Sequence, residues 1–335
     1  MSAHVPWIRS NGFLLALVGA VILAFLFPEG GGSGAWIPPV LVTNGGIALI
    51  LFFQGLSLAF AKVKAGAGNW RLHLVIQAFT FGVFPLLGIL LDHIVPWFWQ
   101  SQPQTIRHGL LFLCVLPSTI SSSVVFTAIA RGNTAGALFN AALSNIIGVV
   151  LTPLLVFLLM RGAGSPVTTE FGPLLLKITS LTLLPFSLGM ALRPFVRDWA
   201  DRVKPWFTRI SNAIIVYIVY AAFCDSVQGD IWRKYGAAIT WPVIIIVVLL
   251  FVGVSWLTHG SCLMLRLSRE DRIAAYFCAV KKTLAMGVPL AAMIFGRGAE
   301  LSLILLPTML YHPLQLLVNG VLANHWAKER PQDLP

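Results

Sequence analysis

The stretch Tyr276-Phe277-Cys278-Ala279-Val280-Lys281-Lys282-Thr283-Leu284-Ala285-Met286-Gly287-Val288-Pro289 sets two adjacent lysines in the middle of an apolar run that extends from about residue 273 to 296. Roughly 20 apolar residues cross the hydrocarbon core of a bilayer, so the run is long enough to span one. A lysine at the centre of such a span costs about 2.5–3.5 kcal/mol on the insertion scale, and two cost more. Both lie about nine residues into the run, too deep for easy snorkelling. Function ordinarily explains a cost of this kind. The plainer alternatives are snorkelling or a structural contact with backbone carbonyls.

A second apolar run is interrupted in the same manner. It reads Leu116-Pro117-Ser118-Thr119-Ile120-Ser121-Ser122-Ser123-Val124-Val125-Phe126-Thr127, a proline and six hydroxyl side chains where a lipid-facing helix would be apolar. Pro117 cannot donate to the helical ladder, and hydroxyl groups can satisfy the freed carbonyls, pack helices closely or bind a solute. Sliding the chain on itself by about 165 residues lays Cys114-Val115-Leu116-Pro117-Ser118-Thr119 over Cys278-Ala279-Val280-Lys281-Lys282-Thr283. The same shift lays Thr43-Asn44 near Ser211-Asn212, Pro28 near Pro194, and Arg131-Gly132 near Arg297-Gly298. Four matches in order indicate a duplication. Paired interrupted helices at matching places in two halves point to a binding site near the membrane midplane.

The rest of the chain fits this frame. Of its 335 residues 57% are hydrophobic and 10% charged, against about 25% charge in an average soluble domain. Ten candidate spans follow from the apolar runs: about 12 to 27, 40 to 60, 72 to 91, 106 to 129, 134 to 160, 172 to 192, 210 to 227, 237 to 263, 273 to 296 and 300 to 325. The interrupted runs are spans four and nine. The expected fold is therefore all-α and integral to the membrane, with halves of five spans at 1–160 and 161–335. An odd number per half makes the second inverted with respect to the first, with helices 4 and 9 broken and crossing at the midplane. The first run has no small-residue cleavage site before the Gly-rich Pro28 to Ala35 segment and reads as a retained span.

The net charge of +11 would suggest nucleic acid in a soluble protein, but here its placement argues topology. With a cytoplasmic N-terminus, inside segments hold 15 basic residues, from Arg9, Lys62, Lys64 and Arg71 through Arg131, the Arg193–Arg209 cluster, Arg266, Arg269 and Arg272 to Lys328 and Arg330. Outside segments hold six: Arg107, Arg161, Lys177, Arg233, Lys234 and Arg297. The excess on one side predicts that both termini are cytoplasmic in a multi-pass protein of the plasma or inner membrane. Tryptophans such as Trp7, Trp36, Trp97, Trp206 and Trp241 cluster at span ends as an interfacial belt.

The candidate substrate-binding residues are Lys281, Lys282 and Thr283 in span nine, and Ser118, Thr119, Ser121, Ser122 and Ser123 in span four. Gln77, Asn140 and Asn145 lie on neighbouring spans. Adjacent helical positions point about 100° apart, so one lysine faces the cavity unless the backbone is unwound. Alignment with Ser118 favours Lys282. Ammonium groups near half-helix N-termini attract carboxylate, sulfate or phosphate and repel sodium. A buried lysine that loses its proton near neutral pH would permit proton coupling. Gln54, Ser144, His312, Gln315 and Asn319 are further in-span polar residues, and His312, before Pro313, reads as structural. Cys114, Cys224, Cys262 and Cys278 have no metal-ligand spacing and read as free thiols. No metal, cofactor, nucleic acid or obligate protein partner is expected beyond a small organic anion and the bilayer. Enzyme motifs such as G-x-S-x-G, H-E-x-x-H or a mid-span Asp pair are missing. The alternative to transport is a membrane regulatory protein on the same fold, although no tail or separate domain in the sequence selects it.

The motifs from Leu116-Pro117-Ser118-Thr119 to Arg131-Gly132-Asn133 and from Phe277-Cys278 through Lys281-Lys282-Thr283 to Gly287-Val288-Pro289 resemble the bile acid:sodium symporter superfamily, in its YfeH-like branch related to solute carrier family 10. The resemblance covers nearly the whole chain. It implies ten helices in inverted five-helix repeats, with spans 1, 2, 6 and 7 forming a panel and spans 3 to 5 and 8 to 10 a core. It also implies departures. Where sodium-coupled relatives carry Ser-Asn in span four, this chain has Ser122-Ser123 or Ser123-Val124. Phe277 stands at the place of a sodium-site Glu, and Lys281-Lys282 at that of a Gln-Asn pair. On this likeness both sodium sites are dismantled, and a lysine ammonium supplies the charge that sodium brings elsewhere.

Overall fold

The computed structural model describes residues 12–31, 39–57, 68–100, 102–162, 171–296 and 298–328, with 39–44, 160–162, 171–179, 181 and 237 described by backbone only. Every regular element among them is helical: α1 Gly12–Leu26, α2 Pro39–Leu56, α3 Trp70–Phe98, α4 Gln104–Val115, α5 Ser121–Ile129, α6 Thr134–Gly162, α7 Phe171–Gln228, α8 Gly236–Met264, α9 Arg269–Ala279, α10 Leu284–Phe295 and α11 Leu301–Lys328. Short turns lie at Pro28–Gly30 and Ile231–Lys234. Six stretches are long and apolar enough to cross a membrane: 70–98, 134–159, 182–228, 238–264, 269–295 and 301–328. Gly12–Leu26 and Gly45–Leu56 are shorter apolar helices. This is the architecture of a multi-pass membrane protein, because helices satisfy their backbone groups internally where water cannot.

Both interruptions are present. Span four is two helices, α4 and α5, separated at Leu116–Ile120, and span nine is α9 and α10, separated at Val280–Thr283. The stretch from 269 to 295 is also the most enclosed. In its most apolar 18 residues 83% are buried, against 39–56% in the other five long stretches. Non-helical backbone at membrane depth is tolerated where protein covers it, and here it is covered.

One expectation is corrected. The basic segment 193–209, read as a loop between spans six and seven, is helical, and α7 runs from 171 to 228 with a kink at Val196 (φ −122, ψ 20). The reason is an apolar strip at helical spacing. Val196, Ala200, Val203 and Phe207 pack with Leu56, Phe52 and Phe53, while Trp199 and Trp206 stay exposed. Arg193 pins the start of the strip, donating to the Leu56 carbonyl and to Asp201, the latter at 2.8 Å. Arg9, Lys62, Lys64, Arg297 and Arg330 of the topology count, the Gly-rich 32–35, the end of span two, and Trp7 and Trp36 lie outside the described residues.

Helix ends follow local chemistry. Ser268 Oγ accepts from the Asp271 N–H at 3.2 Å to cap α9, with Glu270 and Asp271 in its first turn. The chain forms two compact units. Of the described residues, those up to 57 with 180–239 and 288–305 form one, and those from 68 to 179 with 240–287 and from 306 on form the other. The second unit carries α3 to α6, α9 and most of α8 and α11. Both helix breaks lie in it. Relative to the panel and core implied by the resemblance, the second half of span nine from Val288 groups with α1, α2 and most of α7.

Candidate functional site

A broken helix frees backbone groups that must find other partners. At the α4–α5 break side chains of α6 take up three of them. Thr152 Oγ1 donates to the Val115 carbonyl at 2.9 Å, Ser144 Oγ accepts from the Ser118 N–H at 3.0 Å, and Asn145 Nδ2 donates to the Ser118 carbonyl at 2.9 Å. Three side chains of α6 thus hold the unwound segment. The Pro117 ring packs directly on Gly148 of the same helix, where a Cβ would stand 2.7 Å from the ring carbons, so only glycine admits this approach.

The α9–α10 break is held by α11. Tyr311 Oη donates to the Val280 carbonyl at 2.6 Å. Gln315 clamps both backbone groups of Lys282: its Oε1 accepts from the Lys282 N–H at 2.9 Å and its Nε2 donates to the Lys282 carbonyl at 2.8 Å. Gln315 Nε2 also lies 3.0 Å from His312 Nδ1, so His312 serves this clamp. The two breaks join each other directly. The Thr283 N–H donates to the Pro117 carbonyl at 2.9 Å, and Ser118 Oγ donates to the Cys278 carbonyl at 2.6 Å.

The two lysines are both buried, with 0% and 1% exposure, yet their surroundings differ. The Lys282 ammonium donates to three backbone carbonyls: Leu116 at 2.7 Å, Cys114 at 2.9 Å and Thr80 at 3.0 Å. Its Nζ also stands 3.9 Å from the centre of the Phe84 ring. Two of these carbonyls end α4, where the helix dipole is negative. The third is set free by a π-turn. Phe79–Val83 is wound with five-residue hydrogen bonds, and the residue five on from Thr80 is Pro85, which has no N–H to give. All three ammonium protons therefore have acceptors, and charge-assisted bonds of about 1.5–3 kcal/mol each offset the cost of burial.

Lys281 has none of this. Among the described residues its Nζ has no hydrogen-bond partner. It stands 4.0 Å from the centre of the Phe126 ring on α5 and 5.7 Å from that of Phe277 on α9. Ring faces attract an ammonium by about 0.5–2 kcal/mol, well short of the several kcal/mol that burying an ion costs. The structural contact with carbonyls, weighed for both lysines on sequence, holds for Lys282 alone. Alignment with Ser118 had pointed to Lys282 as the cavity-facing lysine, whereas it is Lys281 whose charge lacks an acceptor.

The remaining sequence candidates divide. Ser118 and Thr283 are part of the backbone joint. Thr119 Oγ1 is bonded to Ser122 Oγ at 2.8 Å and Ser123 Oγ at 3.1 Å, a hydroxyl cluster at the start of α5. Ser121 is exposed. Asn145 holds the joint. Gln77 and Asn140 instead bond to each other at 3.2–3.3 Å, with Asn140 Nδ2 against His73 Nδ1 at 2.8 Å, in a separate α3–α6 contact. Sequence reasoning did not include Tyr311 or Thr152, and it left Ser144 and Gln315 among the unassigned in-span polar residues. For Gln315 the signal was present, an amide in an apolar run; for Tyr311 none was. The four cysteines are buried and free, and no group of three or more metal-ligating side chains occurs among the described residues.

Comparison with known proteins agrees with this architecture. The model of the SBF-like CPA transporter family matches residues 11–328. The chain is 34% identical over 322 residues to "Putative symporter YfeH" of Escherichia coli (strain K12), covering 96% of this chain and 94% of that one. It is 30% identical over 322 residues to "Sodium/bile acid cotransporter 7" of Rattus norvegicus, covering 94% and 92%. These are transporters and not enzymes. A multi-pass helical chain matched along nearly its whole length in this way belongs to the SBF-like CPA transporter family.

Proposed function

We propose that this protein is a secondary transporter of small organic anions that works by alternating access, with Lys281 as the charge that meets the substrate. The observation that carries the reading is the Lys281 ammonium: fully buried, beside the joined helix breaks, and without an acceptor among the described residues. An anionic group would supply the missing partner. The hydroxyls of Thr119, Ser122 and Ser123 at the start of α5 would complete its hydrogen bonds, with the positive end of that half-helix behind them.

On this reading the full fold is ten transmembrane helices in two inverted halves of five, inserted in the cell membrane with both termini in the cytoplasm. The spacing of the breaks supports the duplication. α4 ends at Val115 and α9 at Ala279, a separation of 164 residues that matches the offset of the sequence repeat. The transporter does not use the two-sodium mechanism. Lys282, with three carbonyls around its ammonium, occupies a cradle of the kind that holds a bound cation, so a tethered charge stands in for sodium. A proton is then the coupling ion to test first.

Purified protein in proteoliposomes decides the matter. Uptake of labelled mono- and dicarboxylates is measured with and without sodium and with and without an inward proton gradient. The expected result is anion uptake indifferent to sodium and lost in Lys281→Ala. Uptake that needs sodium, or that survives Lys281→Ala with unchanged anion binding, would overturn the assignment.

A further inference from the structure

A second site stands at the other end of α9, away from the lysines. The end of α8, the start of α9 and the end of α11 enclose a cleft of about 300 Å³, lined by His259, Leu263, Arg269, Arg272, Tyr276 and Trp326 among others. Its charge is one-sided. Arg269 Nη2 donates to the Trp326 carbonyl at 2.7 Å, capping the last turn of α11, and Arg272 has no side-chain hydrogen bond or ion pair within the described residues. Asp271 is engaged elsewhere, accepting from Asn69 Nδ2 at 2.6 Å and from Asn133 Nδ2 at 2.8 Å. Exposed Arg266 and Lys328 add to the basic rim.

The position of the cleft specifies the kind of anion. α8 is a membrane-crossing stretch that ends at Met264, so the cleft lies at the level where lipid headgroups begin. Trp256, His259 and Leu263 fall at i, i+3 and i+7 on one face of α8. Trp256 is 82% exposed and Leu263 48%, so an unpartnered apolar strip leads from the hydrocarbon depth up to the arginines. A soluble phosphate would use the arginines alone. A phospholipid would use both.

We infer that the α8–α9–α11 cleft is a binding site for an anionic phospholipid, whose phosphate is held by Arg272 and Arg269 with His259 at the rim, and whose acyl chain lies along Leu263 and Trp256. Guanidinium groups suit phosphate because they present paired donors in a plane, and basic clefts between spanning helices are where such headgroups bind.

The test uses the full chain in detergent micelles, titrated with phosphatidylglycerol, phosphatidylcholine or inorganic phosphate, and read by native mass spectrometry and thermal midpoint. Phosphatidylglycerol should be retained and should raise the midpoint, whereas phosphatidylcholine and inorganic phosphate should do neither. Arg272→Gln, which removes no side-chain bond within the described residues, should weaken retention about fivefold, and Trp256→Ala should weaken it also. Arg131→Gln, a basic change on another loop, should leave it unchanged. Equal retention of both lipids would overturn the proposal, as would full retention by Arg272→Gln. Protection by inorganic phosphate alone would place a soluble anion there instead.

Discussion

The Lys282 ammonium lies 2.7 Å from the carbonyl oxygen of Leu116, the residue at which α4 leaves helical geometry for an extended one (φ −68, ψ 147). One side chain of α9–α10 therefore caps the broken end of α4, and through Thr80 also fastens the π-turn of α3. Replacing Lys282 by Met would strand three carbonyls at about 1–3 kcal/mol each, less the desolvation relieved by deleting the charge. We expect a net loss of about 2–5 kcal/mol, seen as a thermal midpoint lower by several degrees in detergent. A variant as stable as the parent would show that the cradle is not held by this ammonium.

Lys281→Met should behave oppositely. The substitution removes a buried charge that lacks a hydrogen-bond acceptor and leaves a side chain of similar length between the Phe126 and Phe277 rings. Stability should stay within about 1 kcal/mol of the parent or rise, because replacing a buried ion by an apolar group is often neutral or favourable. The pair of variants, measured side by side, separates a structural lysine from a functional one. Equal destabilisation by both would refute that separation.

Gln315 is the other support of the break. Gln315→Ala leaves the N–H and carbonyl of Lys282 unpaired and should cost about 2–4 kcal/mol. Gln315→Glu keeps an acceptor for the N–H but has no amide protons for the Lys282 carbonyl or His312. It should be destabilising as well. If only the acceptor matters, Glu will be silent in the same unfolding measurement.

Two loops carry arginine where glycine is the usual choice. Arg131 (φ 58) and Arg266 (φ 51) close α5 and α8 in the left-handed conformation. In each case the following N–H reaches back five residues, Gly132 to Thr127 at 2.8 Å and Leu267 to Cys262 at 3.1 Å. Left-handed backbone is strained for a side chain with a Cβ, so Arg131→Gly and Arg266→Gly should each raise stability by about 0.5–1 kcal/mol. A drop in midpoint for either would mean that its positive charge at the helix end outweighs the strain.

Much of the fold was legible in the sequence for a simple reason: a bilayer imposes long apolar runs, and charge or proline inside one stands out. Spans four and nine were marked as broken by Pro117 with its serines and by Lys281-Lys282, and both breaks are there. The segment 193–209 misled because its arginines read as a loop, while the alternating four- and three-residue spacing of Val196, Ala200, Val203 and Phe207 carried the weaker helical signal. The partition of the lysines could not be read at all. On sequence they are neighbours with the same chemistry, and the register with Ser118 favours Lys282.

What the sequence by itself determined is the class of the molecule, the number and place of the interruptions, and the identity of the two buried cations. Those follow from composition and local pattern, which act along the chain. Only the tertiary structure decided which cation is satisfied, because the acceptors of Lys282 come from residues more than 160 positions away, on α4 and on the π-turn of α3. A hydrogen bond depends on distance and direction in space. The chain sets those by packing, and it brings three free carbonyls to Lys282 and two aromatic rings to Lys281.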